Sequence, residues 1–185
     1  MKKSKIPGRG LAAALSTAAL VAGALVAAPA AHSATSARLV ADMACPVGSQ
    51  TVSFSPGVTL TPQSVTVTYN VALGVCASLT QPQITSGSSQ GTVTVTLDCL
   101  DLLSTTTGTQ TFHWSDGQSS VLSFTRTVTS ANGQTVITLT GPITSGLFTG
   151  RIATFTVVEP ALDLTACLTS RGLTGQTGVT TLLIT

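Results

Sequence analysis

One short segment sets a base, a hydroxyl and an acid almost side by side: His113-Trp114-Ser115-Asp116-Gly117. His113 is the only histidine after residue 34. These residue types are the parts of a Ser/His/Asp hydrolase. A triad, however, needs spatial convergence. Neighbouring residues of a strand point to opposite faces, so His113 and Trp114 diverge. The segment reads instead as a strand entering a turn, with Trp114 in the core and Asp116 capping the turn. No catalytic residue is assigned.

The carboxylates are Asp42, Asp98, Asp101, Asp116, Glu159 and Asp163. A glycosidase sets two of them across a cleft. Asp98 and Asp101 flank Cys99 and read as solvated loop acids. A metal site would have one histidine and scattered acids to work with. Neither a C-x-x-C pair nor a D-x-D-x-D-G series occurs. No metal and no cofactor are assigned.

Those residues sit behind an address. Lys2, Lys3, Lys5 and Arg9 precede the apolar run Leu11 to Ala28, and Ala28-Pro29-Ala30 and His32-Ser33-Ala34 both suit cleavage. Residues 1–34 therefore read as a secretory signal peptide, cut between Ala30 and Ala34. No later stretch is long enough to span a membrane. Residues 35–44 read as a flexible leader, and 45–185 as one domain. Beyond residue 34 the chain has no lysine. Four arginines against six carboxylates give a formal charge of −2. That balance argues against nucleic acid or an anionic membrane as partner, since both demand a dense basic face.

Cys45, Cys76, Cys99 and Cys167 are even in number and exported, so two disulfides are expected. Four cysteines allow three connectivities. If successive strands run up and down, Cys45 and Cys76 share one end and Cys99 and Cys167 the other. Parity therefore favours Cys45–Cys76 and Cys99–Cys167.

Period-two alternation dominates the rest. Val65, Val67, Tyr69 and Val71 alternate with polar residues, as do Val93, Val95, Leu97 and Cys99. Val52 and Phe54 predict a short first strand. Phe112 and Trp114 share a face, as do Leu122, Phe124 and Val128, with Arg126 interrupting that face. Further strands are expected at 135–140, 150–158 and 177–184. Asn132-Gly133 is a hairpin signal. Gly141-Pro142 and Ser145-Gly146 are expected to break the chain before 150–158, and Glu159-Pro160 to end that strand. About eight short strands with regular turns predict an all-β, antiparallel, immunoglobulin-like sandwich, with a barrel as the competing architecture. The threonines, 33 of them in residues 35–185, suit the wet faces of such strands. Their irregular spacing argues against an ice-binding solenoid. Trp114 and Tyr69 alternate with threonine as core residues do, so no aromatic platform for a glycan is expected.

The segments Ser115-Asp116-Gly117-Gln118-Ser119-Ser120, Asn132-Gly133-Gln134-Thr135-Val136 and Gly141-Pro142-Ile143-Thr144-Ser145-Gly146-Leu147-Phe148-Thr149-Gly150 resemble small secreted actinobacterial β-sandwich proteins of uncharacterised function. The likeness covers most of the chain after residue 34. Its motifs are turns, so it carries no site residues. In composition and architecture the chain is also similar to the enediyne-antibiotic apoproteins, which implies an exported two-disulfide sandwich with an apolar ligand cleft. Its cysteine spacing departs from theirs.

The expectation is thus a secreted, non-enzymatic binding or envelope-associated structural module. Its partner would be the cell wall, a small molecule or an exported protein. The alternative is a small-molecule carrier, or an inhibitor of an exported enzyme acting through its loops. A pocket of several hundred Å³ would favour the carrier. Hydrolase activity carries least weight. Lysine-free edge strands leave edge-to-edge dimerisation open.

Overall fold

The computed structural model describes residues 41–185, so the signal peptide and most of the leader lie outside the described residues. Strand β1 spans Met43–Val58, β2 Gln63–Gly74, β3 Ala77–Ser78, β4 Gly87–Leu97, β5 Thr106–Trp114, β6 Ser119–Ala131, β7 Gln134–Gly146, β8 Ile152–Pro160 and β9 Leu173–Ile184. Each long strand pairs antiparallel with its neighbour in sequence, and β1 pairs with both β2 and β9. The sheet therefore closes on itself as an eight-stranded barrel, with β3 a short addition to β1. The expected sandwich is corrected to the competing architecture. Alternation reports one wet and one buried face per strand, which holds equally for both. The β1–β9 pairing decides between them, and it joins the two ends of the domain.

Closure also explains why β1 is longer than Val52 and Phe54 predict. It must ladder on both sides, and two register shifts against β9, between Cys45 and Gly48 and between Ser53 and Val58, bend it around the barrel. Met43 is fully buried in this strand, so the expected start of the domain at Cys45 moves forward. The break expected at Gly141-Pro142 does not occur: both residues lie within β7, laddered to Ala153 and Ile152 of β8. A Cβ on Gly141 would collide with the carbonyl oxygen of Ser123, so glycine lets β6 and β7 approach closely. Asn132 and Gly133 both have positive φ, 54° and 74°, the two-residue hairpin turn that their types predict.

The strands run alternately up and down. The lower end is solid. Phe112 stacks on Trp114 with ring centroids 5.9 Å apart, and meets Phe155 edge-on at 5.6 Å. Met43, Leu73, Leu122 and Ile184 fill the space around them. Trp114 Nε1 donates to Ser120 Oγ at 2.9 Å, which donates onward to the Leu147 carbonyl at 2.6 Å, so the buried indole N–H is satisfied. Cys45–Cys76 staples this end.

At the upper end two longer connections fold inward. One holds the 3₁₀ turn Asp101–Leu103, and the other holds the single-turn helix α1, Leu164–Cys167. The disulfide Cys99–Cys167 joins them. Both bridges are the pair favoured by parity, because the meander keeps the up-and-down order on which that argument depends. Phe54, Val58, Val65 and Leu173 pack with both cysteines beneath these connections.

One seam is incomplete. β4 and β5 pair only through Gly87–Trp114 and Ser88–His113, at the lower end, whereas β2 and β4 pair over eleven residues. Above Ser88 the two strands diverge. Elsewhere closure consumes the edges that would have supported edge-to-edge dimers.

Candidate functional site

The residues singled out from sequence as chemically suggestive stay apart. His113 is exposed on the outer face of β5, opposite Trp114. Ser115 Oγ accepts from the Thr85 backbone N–H at 3.0 Å. Asp116 accepts from the backbone and side chain of Gln118 at 3.0 and 2.8 Å, which holds its carboxyl below the usual range and locks the turn. Asp98 and Asp101 cap the turn around Cys99: Asp98 Oδ1 accepts from the N–H of Leu100 and Asp101, and Asp101 Oδ2 from that of Asp98. Asp163 caps α1 through the Thr165 and Ala166 amides. Asp42 meets Arg151 at 3.2 Å, the one ion pair among the described residues. No three His, Cys, Asp or Glu side chains among the described residues group as metal ligands.

The threonine ladders face out. Thr66 and Thr94, and Thr68 and Thr92, pair their hydroxyls across β2 and β4 at 3.1 and 3.2 Å.

The barrel interior is incompletely filled above the aromatic floor. A cavity of about 610 Å³ lies between the aromatic floor and the inward-folded connections. Its walls are mostly apolar: Val52 and Phe54 from β1, Val67 and Tyr69 from β2, Ile137 and Leu139 from β7, Val157 from β8. It opens sideways at the divergent seam, where Val93 is 49% exposed although it alternates in phase with the inner face. The seam is thus a hydrophobic entrance.

Three charged side chains line these walls: the exposed Asp101 of the 3₁₀ turn, Arg126 and Glu159. Arg126 projects inward from β6, in phase with Leu122 and Phe124. Its Nη1 donates to the Ser104 carbonyl at 2.7 Å and its Nη2 to that of Leu102 at 2.6 Å, so it ties the 3₁₀ connection to the barrel interior. Burial lowers its pKa, and the Glu159 charge opposes that shift. Glu159 follows Phe155 and Val157 on the inner face of β8 and is 2% exposed. Burial raises its pKa, offset in part by Arg126 and by a 3.5 Å hydrogen bond from Gln50 Nε2 to Oε1. Its other oxygen, Oε2, has no partner. Thr135, its ladder neighbour across β7 and β8, is also buried with an unpartnered hydroxyl.

In the sequence Glu159 reads as one of six scattered carboxylates and as the strand-ending partner of Pro160, and Arg126 as an interruption of an apolar face. The signal that finds both is their phase. Each continues a buried set by two residues, so each must point inward. Gln110, bonded to Ser89 Oγ at 3.2 Å within the wall, is found the same way, from its phase with Phe112 and Trp114. No family model, curated protein or solved structure matches the chain.

Proposed function

We propose that the protein is an exported carrier that holds one small, mostly apolar molecule in the upper half of its barrel. The observation that carries this reading is the cavity itself. At about 610 Å³ it falls within the few-hundred to thousand Å³ span of small-molecule sites, with an apolar wall and a few convergent polar groups. A core gains dispersion energy when filled, so keeping a cavity of this size open costs stability that a purely structural module has no reason to forgo. The open β4–β5 seam supplies an entrance. Export is supported by the basic and apolar N-terminus and by the two disulfides. No helix among the described residues is long and apolar enough to cross a membrane. The connections at the upper end are pinned by Cys99–Cys167 and by Arg126, which suits a cover over a cavity better than a protruding inhibitory loop.

The test is titration calorimetry with N-phenyl-1-naphthylamine, an uncharged apolar probe. The wild-type protein is expected to bind one molecule. A variant carrying Val67→Trp and Ile137→Trp, which fills the cavity from opposite walls, is expected to keep its circular dichroism spectrum and lose binding. Equal binding by the filled variant would place the probe elsewhere and sink the reading.

A further inference from the structure

We propose that the open upper edge of β4 is a self-association site, at which a second copy of this chain pairs strand to strand about a two-fold axis through Thr94. The inference does not rest on the carrier reading, because it concerns the backbone edge of the seam and not the cavity behind it.

The first ground is a row of unpaired backbone groups. β4 ladders to β2 without a register shift from Gly87 to Leu97, whereas its ladder to β5 ends at Ser88. The phase of that second side follows from the Ser115 N–H, which donates to the Ser86 carbonyl at 3.1 Å. Backbone groups alternate sides along a strand, so the even-numbered residues of β4 turn theirs toward β5. Above Ser88 these are Gln90, Thr92, Thr94 and Thr96, and β5 gives them no ladder partner. The hydroxyls of Thr66 and Thr94, 3.1 Å apart, agree with this phase, since side chains come closest where a cross-strand pair is not hydrogen-bonded.

Nothing blunts this edge. Residues Gly87–Leu97 include no charge and no proline, the devices that ordinarily keep strand edges from pairing. Both faces are open as well. Thr92, Thr94 and Thr96 are exposed on the outside, and Val93 and Val95 are 49% and 37% exposed on the inner face.

The second ground identifies the partner. Thr92-Val93-Thr94-Val95-Thr96 reads the same in both directions. Two antiparallel copies centred on Thr94 set Thr94 against Thr94, Val93 against Val95 and Thr92 against Thr96. A two-fold interface must be complementary to itself, and this register meets that condition residue by residue. It also meets it in phase. Thr92, Thr94 and Thr96 are the residues whose N–H and C=O face out from the edge, so each finds the opposite group on the other copy. Valine then adjoins valine along the inner face, and threonine adjoins threonine along the outer one. Other registers fail. Centring on Thr92 sets Val93 against Gly91, and centring on Thr96 runs the pair into the turn at Asp98.

The contact is one short strand edge, so the expected dimer is weak, with a Kd of about 10 μM to 1 mM. Sedimentation velocity of the purified protein up to about 1 mM is expected to show a monomer–dimer equilibrium. A clean monomer throughout overturns the proposal. Deuterium exchange locates the contact. The amides of Thr92, Thr94 and Thr96 are expected to slow as concentration rises, while those of Val93 and Val95, bonded to β2, stay constant. Thr94→Pro removes an outward N–H and leaves the β2 ladder whole, as proline is tolerated where the N–H faces out from an edge. It is expected to keep the near-ultraviolet circular dichroism of the wild type and to stay monomeric. Thr94→Lys and Thr94→Asp each put like charges on the axis and are expected to weaken association at least about tenfold. Mixed in equal amounts they are expected to regain the dimer, because a contact of residue 94 with itself turns that repulsion into attraction. If Thr94→Pro unfolds, the Lys and Asp variants decide. Dimers that persist in the Lys and Asp variants alone, or a mixture that stays as monomeric as its components, overturn the proposal.

Discussion

Arg126 and Glu159 face one cavity from β6 and β8 and do not form an ion pair, since the single pair among the described residues is Asp42–Arg151. Each has bought its inward place differently. Arg126 is held by two backbone carbonyls at 2.7 and 2.6 Å, whereas Glu159 has one long bond from Gln50 and an empty oxygen. The arginine is a structural fastener that also faces the cavity. The glutamate is left under-satisfied, and the predictions below separate those roles.

Glu159 makes stability fall with rising pH. Burial raises its pKa in the folded protein above the unfolded value near 4.5. The folded state thus binds the proton more tightly, and its stabilisation is complete below that value and lost as pH climbs through the raised one. Urea unfolding from pH 4 to pH 8 is expected to show this loss in the wild type. Glu159→Gln is expected to flatten the profile and to gain about 1–3 kcal/mol on the wild type at the upper end. A variant that loses stability at pH 8 would show that the carboxylate is favourably paired.

Trp114 anchors the opposite end. It is 4% exposed, stacks on Phe112, meets Phe148 edge-on at 6.1 Å and donates to Ser120. Trp114→Ala is expected to cost about 3–5 kcal/mol, from lost contacts and the cavity left behind. Its fluorescence, the only indole signal in the chain, is expected to resist acrylamide quenching in the native state. Ready quenching would contradict its burial.

The same alternation that places Trp114 in the core also places the two inward charges, and it is the limit of what local pattern supplies. Phe112 and Trp114, Phe155 and Glu159, and Leu122 and Arg126 are all legible as residues of one face. Pairing of Cys45 with Cys76 and Cys99 with Cys167 is legible too, because in a meander the end of the barrel follows from strand parity. Closure is not, because it depends on Met43–Ser53 meeting Gly175–Ile184, at the far end of the domain, and no local pattern encodes that partner. The hollow is hidden for a related reason. Val93 and Val95 alternate like core residues, and only the divergence of β4 from β5 leaves them at an entrance. Glu159 reads as a strand terminator beside Pro160 until the barrel gives its face an inside.

The bridge Cys99–Cys167 closes a longer stretch of chain than Cys45–Cys76, with sequence separations of 68 and 31. In the chain-entropy account, removing the longer one costs about 4 kcal/mol, an upper figure. Replacing both cysteines by alanine is expected to lower the Tm and to loosen the connections carrying Asp101–Leu103 and α1. The packing around Trp114 is expected to stay intact in the native state, as near-ultraviolet circular dichroism can report. A Tm equal to the wild type's would mean that the bridge adds nothing to the fold.

Arg126 couples the rim to the cavity, and its removal is expected to open the entrance before it unfolds the barrel. Its guanidinium holds the carbonyls of Leu102 and Ser104, on the connection that leads from β4 across to β5. The same connection is otherwise secured by the Cys99 bridge and by the Asp98–Asp101 turn. Those fix its first half and leave the descent into β5 to Arg126. Arg126→Met keeps the length and apolar stem of the side chain, so it fills the wall while giving up both hydrogen bonds. The amides of Leu103 and Ser104, which donate to Leu100 and Asp101, are expected to exchange with deuterium at least about tenfold faster, as an opening free energy lowered by 1.4 kcal/mol implies. The amides of β6 and β7 are expected to keep their wild-type rates. N-phenyl-1-naphthylamine is expected to associate faster with the variant, because the seam is no longer tethered at its upper edge. Unchanged exchange at Leu103 and Ser104 would show that the turn holds itself, and that Arg126 lies in the barrel for the sake of the cavity alone.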